Sequence, residues 1–332
     1  MIQQAFHLPA QPLEGRFPFP AHRENYPAAW FSAVTNANAK PEVIPAIQEW
    51  YGYTGSFTLT EGSRIVINDA ANVGLQKAAQ NMQADVLEIS GINLPIVTGT
   101  SGGAGDIYIE SLTADSYDLG KEGYLMRVSD EGIKIYAPTY TGCIFGTITV
   151  EQILWQAEDH LSVPKGIMRD YPAYEVRGIK LDIGRAPYRY QQLQDYAKIM
   201  LWYKMSEYDL HINDTENPNA SNATDSQNNI GFHRLESDTF PSLKLMDGVK
   251  RAGVDANLVD ADYYNDPNGF GGNPVYTKQQ WRELTELVKD YGMYLLTEID
   301  MPGHALAYNR YVDEYPEEAA AAGITGPIPG VV

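Results

Sequence analysis

Between Arg177 and Asp214 the apolar positions change period twice. Ile179 to Ile183 is a short β-rich run, and Tyr208 to Ile212 is another. Between them Leu193, Tyr196, Ala197, Met200 and Leu201 fall at the i, i+3, i+4, i+7, i+8 spacing of one helical face. Strand, helix, strand reads as a βαβ unit, whose crossover is almost always right-handed. The same grammar returns downstream. Trp281, Leu284, Leu287, Val288 and Tyr291 make a second helical stripe, and Met293 to Ile299 then reads as a strand. Chemically capable residues follow these strands: Arg185 after the first, Asp214 after the second, and Glu298, Asp300 and His304 around the exit of the third. Strand ends that point the same way carry the ligand in α/β folds, so these residues are expected on one crevice rim. The alternation predicts a (β/α)8 barrel or a doubly wound sheet. No GxGxxG or GxxxxGK[ST] follows any of these strands, which argues against nucleotide binding.

Upstream the pattern differs. Residues 41–165 read as a small α+β domain. Ser56 to Leu59, Arg64 to Asn68, Asp106 to Glu110, Tyr124 to Val128 and Ile133 to Ala137 are strand-like. The last two are joined by a Ser129–Gly132 turn. Ala71 to Leu87 and Ile144 to Trp155 are helical in pattern. No catalytic constellation is visible there, so the expected role is structural support. Residues 1–40, rich in Pro, Ala and aromatics without periodicity, predict an extended arm packed on a later domain. Val163 to Tyr174, with Pro164 and Pro172, reads as a linker, and the barrel is expected over residues 170–332. From Asp214 to Thr277 runs a polar segment too long for an ordinary βα loop, carrying glycosylation-like triplets at Asn219 and Asn222.

Composition narrows the partners. The 332 residues suffice for about two domains. A formal net charge of −19 makes nucleic acid and anionic membranes poor partners. The single cysteine, Cys143, excludes an intramolecular disulfide and a cysteine-rich zinc site. No apolar run approaches the ~20 residues of a membrane span, and no signal peptide is visible at the N-terminus. Compartment stays open; secretion or display at the cell surface is compatible with the sequence.

Ordered motifs then resemble glycoside hydrolase family 20, the β-N-acetylhexosaminidases. The barrel of that family opens with RG-x-x-LD-x-x-R, matched by Arg177, Gly178, Leu181, Asp182 and Arg185. Its His-x-x-Asp pattern is matched by His211 and Asp214, and its EIDMPGH segment by Glu298 to His304. Arg234-Leu-Glu-Ser with Phe240-Pro241 is similar to the loop after the second strand, and Val43-Ile-Pro45 with Gly123 to Gln152 to the preceding small domain. The second motif departs from the common HWHLTDD form: DLHINDT places Leu210 where the Trp stands and Thr215 where the second acid stands, a variant similar to the lacto-N-biosidase branch.

The resemblance implies a hydrolase releasing terminal β-linked N-acetylhexosamine, or a disaccharide containing it, from glycans. It implies no cofactor and no metal. It implies that Arg185 grips sugar hydroxyls, the alternative being a barrel-end ion pair with Asp182. Asp214 is expected to hold His304 within hydrogen-bond reach, with a sugar-sized gap between that pair and Arg185. Glu298 is expected in a buried network or in binding, and His211 as a packed core histidine. The family's catalytic Asp-Glu pair, in a Gly-Gly/Ala-Asp-Glu motif, has no match in the sequence; Asp313-Glu314 reads as a solvated helix face. The barrel is therefore expected to be incomplete, short of the ~250 residues usual for this fold, inactive alone, and prone to self-association through open strand edges. Two rival readings remain: a non-catalytic carbohydrate-binding remnant, and a metal-dependent hydrolase using His211, Asp214, Asp300 and His304 as nitrogen and oxygen ligands.

Overall fold

The structure is a computed structural model that describes residues 25–216, 230–246, 249–250, 275–324 and 326. The chain divides into two compact units, Met1–Glu175 and Val176–Val332. The first is built on β1 (Glu49–Thr58), β2 (Ile65–Ile67), α1 (Val73–Ser90), β3 (Ile96–Thr98), β4 (Ile107–Ser111), β5 (Tyr124–Ser129), β6 (Gly132–Ala137), α2 (Tyr140–Gln156) and β7 (Ser162–Asp170). Its seven strands form one mixed sheet in the order β1-β7-β5-β6-β4-β2-β3. α1 starts at Asn72, whose side chain accepts from the Leu75 amide, and stops at Gly91 with φ 76°. It buries Leu75, Ala78, Ala79, Met82 and Val86 on one face, while α2 is buried all round over residues 142–154.

Two expectations are corrected here. The presumed linker is largely β7, which lies between β1 and β5 and pairs antiparallel with both. Pro164 concealed it. Proline cannot donate to a ladder, and this one pairs with Ser56, beside the register shift of β1 between Gly52 and Ser56. The described part of the presumed arm, residues 25–40, packs on its own unit. Residues 28–33 form a short 3-10 helix, and Tyr26 and Trp30 pack with Tyr53, Leu125 and Ile167 of the unit's own sheet. Residues 1–24 lie outside the described residues.

A buried ion pair ties β1 to β7. Arg169 Nη1 donates to Glu49 Oε1 at 2.7 Å, and the Tyr26 hydroxyl donates to Glu49 Oε2 at 2.9 Å. Arg169 also donates to the backbone carbonyls of Tyr117 and Asp118. Removing one partner strands the other charge in the core, which costs about 3–5 kcal/mol. Arg169→Met is therefore expected to lower the stability of the first unit by that amount in chemical denaturation. Adding Glu49→Leu to it should recover most of the loss.

The second unit comprises β8 (Gly178–Asp182), α3 (Tyr190–Trp202), β9 (Glu207–His211), β10 (Asn213–Glu216), β11 (Ile230–His233), β12 (Val249–Lys250), α4 (Lys278–Asp290), β13 (Tyr294–Glu298), α5 (Leu306–Glu314) and α6 (Pro316–Ala321). β8, β9 and β13 form a parallel sheet in the order β13-β9-β8. Alternation gives each strand two faces. Ile179, Leu181, Tyr208, Leu210 and Leu295 pack with Leu193, Ala197 and Met200 of α3 and Leu284 and Val288 of α4. The opposite face carries the charged set Lys180, Asp182, Asp209, His211 and Glu298. This is a partial TIM barrel, with the helices on one side of the sheet and polar side chains on the other. Within the long polar segment, β10 pairs antiparallel with β11, and β11 with β12. Asn219 and Asn222 lie outside the described residues.

Candidate active site

The exits of β8, β9 and β13 are laced together by backbone and by one asparagine. The amides of Ile183 and Gly184 both donate to the His211 carbonyl, at 3.1 and 2.9 Å. Gly184 is required at this crossing, since a Cβ there would lie 2.9 Å from the Asn213 carbonyl carbon. Asn213 is fully buried and reaches the turn after β13. Its Nδ2 donates to the carbonyls of Asp300 and His304, at 3.0 and 3.2 Å, and its Oδ1 accepts from the Asp300 amide at 2.9 Å. His304 itself has φ 55°, the left-handed region that a histidine enters more readily than most residues. Arg234, also fully buried, donates from Nε to the carbonyls of Ile183 and Gly184 at 3.2 and 2.9 Å, fixing the backbone that leads to Arg185.

This scaffold converges on Asp214, which is 2% exposed. His304 Nδ1 donates to its Oδ1, as does the Thr215 amide at 2.6 Å. Its Oδ2 takes His211 Nε2 at 2.9 Å and Arg185 Nε at 3.0 Å. Arg185 Nε also meets Asp182 Oδ2 at 2.5 Å. His211 Nδ1 lies 2.9 Å from Glu298 Oε2.

Asp214 and His304 are thus joined at the C-terminal ends of neighbouring parallel strands. Arg185 is on the same rim, but the expected sugar-sized gap between it and the pair is absent: its guanidinium rests on Asp214. The presumed alternative for Arg185, an ion pair with Asp182, is present as well. His211 is buried as expected, at 6% exposure, yet its ring is a polar bridge between Asp214 and Glu298. Asp300 contributes its backbone to the Asn213 clamp.

The site is ionically uneven. Burial acts to raise the Glu298 pKa, but hydrogen bonds from Lys180 and His211 outweigh it and hold the carboxyl below its ordinary value. Asp209, two residues before His211, is pushed up by burial and by the Glu298 charge. Lys180 resists its own burial because Glu298, Asp209 and Asp300 surround it, and its pKa is raised. Asp182, His211 and Asp214 bring ligand-type atoms within 4.8 Å of one another, as a metal site would. The fit is poor, because Arg185 already inserts a cation between Asp182 and Asp214 and both His211 nitrogens face carboxylates. The residues that sequence reasoning missed are Asn213, Lys180 and Asp209. The polar residue of Ile-Asn-Asp at a strand exit was a usable signal for the first.

Against this geometry, two family models match: glycosyl hydrolase family 20, domain 2, over residues 40–171, and the catalytic domain of the same family over residues 174–325. The chain belongs to glycosyl hydrolase family 20. It is 24% identical to the lacto-N-biosidase of Bifidobacterium bifidum over 291 residues, which is 87% of this chain and 21% of that protein. It is 26% identical to a beta-hexosaminidase of Porphyromonas gingivalis over 239 residues, 70% of this chain and 27% of that protein. Among solved structures, the GH20 beta-N-acetylhexosaminidase of Streptomyces coelicolor superposes with a TM-score of 0.61 at 24% identity, over 82% of this chain and 49% of the other. The Streptomyces plicatus enzyme gives 0.62 at 22%, over 88% and 53%. The chain therefore spans about half the length of these solved relatives and 21–27% of these two curated ones.

Beside the rim, Ile212, His233, Phe240, Met301, Tyr308 and Tyr311 help to line an apolar cavity of about 400 Å³. His233 Nε2 donates to the Leu235 carbonyl at 2.7 Å, leaving Nδ1 to accept from the Tyr308 hydroxyl at 3.2 Å. Burial, with the Arg234 charge nearby, drives its pKa from 6.5 down to about 4. The unfolded chain then binds more protons than the folded one between those two values, so stability rises with pH across that window. This contribution is complete above pH 6.5 and is lost as pH falls toward 4. His233→Gln keeps a donor for Leu235 but cannot titrate. Between pH 7 and pH 4.5 it should lose roughly 2–3 kcal/mol less stability than the parent chain in urea denaturation.

Proposed function

We propose that this chain provides part of the sugar-binding rim of a glycosidase acting on terminal β-linked N-acetylhexosamine, or on a disaccharide containing it. The observation that carries the reading is the joining of Arg185, Asp214 and His304 at the exits of parallel strands, where a TIM barrel places its ligands. With Arg185 Nε committed to two carboxylates, the sugar lies outside the Arg185–Asp214 contact rather than within it. It meets the half-exposed guanidinium and the half-exposed His304 ring. A planar multi-donor guanidinium suits vicinal hydroxyls.

The chemistry follows the substrate-assisted route. The 2-acetamido oxygen attacks the anomeric carbon, an aspartate orients the acetamido group, and an adjacent glutamate protonates the departing oxygen. In this reading Asp214 fixes the His304 imidazole so that it supports those acids. Asp313 and Glu314 are exposed at the end of α5 and are unsuited to the task. The chain alone should therefore bind sugar without turning it over.

Titration with N-acetylglucosamine, followed by calorimetry, should show binding to the chain. Arg185→Ala should weaken it at least ~10-fold, the equivalent of one lost charged hydrogen bond. No hydrolysis of an aryl N-acetyl-β-glucosaminide is expected. Failure of the parent chain to bind the sugar would overturn the reading. Turnover that depends on a divalent metal and is abolished by a chelator would favour the metal-dependent alternative instead.

A further inference from the structure

The charged face of the parallel sheet extends below the rim. Lys180 and Asp209 are register partners on β8 and β9, one step before the partners Asp182 and His211. Lys180 Nζ lies 3.7 Å from Asp209 Oδ2 and also pairs with Glu298 Oε2. That Glu298 oxygen is the one facing His211 Nδ1 at 2.9 Å. A single carboxylate oxygen is therefore shared between an ammonium and an imidazole.

The arrangement has a consequence for His211. Each ring nitrogen faces a carboxylate oxygen, Glu298 on one side and Asp214 on the other. Ionised carboxylates only accept, so both contacts are satisfied together when both nitrogens donate. Glu298 and Asp214 thus hold the imidazole ring from its two sides. Glu298 is faced by Lys180 from β8 and by Asp209 and His211 from β9. Asp209 is a hazard to it, because two close carboxylates disfavour each other's ionised form. One Asp209 oxygen is buried with no hydrogen-bond partner among the described residues. Lys180 is the cation between the two acids, and Glu298 is held ionised accordingly.

We propose that Lys180 is a positioning residue for the Asp214–His304 pair: its ammonium keeps Glu298 on Nδ1 of His211, and the His211 ring is thereby held with Nε2 against Asp214. The inference rests on reading that pair as part of the sugar site. It places the control of the rim one layer down in the sheet, on a half-exposed lysine that touches no sugar.

The test is ¹⁵N NMR of the full chain with labelled imidazoles, His211 being assigned by its loss in His211→Gln. The parent chain should show a slowly exchanging Nδ1–H signal for His211, held by Glu298. In Lys180→Met, which keeps an unbranched chain but removes the charge, exchange of the Nδ1 proton with water should accelerate at least ~10-fold, as expected for loss of the charge that holds its acceptor. Lys180→Arg, which retains a cation, should restore the slow exchange. Should Lys180→Met fail to fold, Glu298→Gln probes the same link and should release the same proton. An Nδ1 proton indifferent to Lys180→Met in a folded chain would overturn the proposal, as would Lys180→Arg behaving like Lys180→Met. N-acetylglucosamine binding separates the two readings. If the parent chain binds no sugar but Lys180 still governs the Nδ1 proton, the sugar reading falls and the positioning of His211 stands. If sugar binds and the proton ignores Lys180, this inference alone falls.

Discussion

The Asp214 carboxylate is the constraint around which the second unit is arranged. A buried carboxylate is costly unless its oxygens are filled with donors. Asp214 is filled: the Thr215 amide, His211, His304 and Arg185 all converge on it. Those donors come from the exits of β8, β9 and β13, so one carboxylate records the relative placement of three strands. Gly184, Asn213 and Arg234 serve the same end from the backbone side, bringing the exits close enough for the convergence to occur. Leaving Asp214 without them would cost more than the loss of any one contact, because the penalty is that of an unpaired buried charge.

Much of this was legible in the sequence. Helical stripes and β-rich runs placed the three parallel strands, because amphipathic periodicity survives without knowledge of neighbours. Residues just past strand ends were then natural candidates, and Arg185, Asp214 and His304 do meet. What stayed hidden depends on cross-strand neighbours. Lys180 in Gly-Ile-Lys-Leu-Asp looks like an ordinary solvent-facing alternation; its partner Glu298 is far along the chain on a different strand. The residue type of Arg185 likewise does not say which acid it will pair with, and the assumed gap for a sugar vanished when it paired with two. In the first unit, Pro164 and Pro172 suggested a break, whereas Pro164 is accommodated beside an irregular stretch of β1. Trp30 and Tyr26 had no periodicity to reveal that they cap the sheet locally.

The two units manage buried charge differently. In the first, Arg169 and Glu49 are register partners on adjacent strands and lie deep in the core, with Tyr26 completing the Glu49 acceptors. Such a pair is a poor source of net stability but a strong penalty against mispairing β1 and β7. In the second unit the charges lie in rows across one face of a sheet, with buried and half-exposed members side by side. His211 is 6% exposed, whereas the His304 side chain is 51% exposed. The buried members fix geometry, and the half-exposed ones present polar atoms to solvent.

The sign of the rim narrows what that ligand can be. Asp182, Asp209, Asp214, Glu298 and Asp300 crowd around the strand exits, against the cations Lys180 and Arg185, within a chain of net charge −19. Both cations are already paired with acids. A phosphorylated or carboxylated ligand would meet an excess of negative charge with its natural receptors occupied. A neutral polyol makes no such demand, since it can accept from the guanidinium and donate to carboxylate oxygens at the same time. The crowding that disfavours anions is compatible with the neutral hydroxyls of the sugar proposed above, while the acids remain divided among their cationic partners.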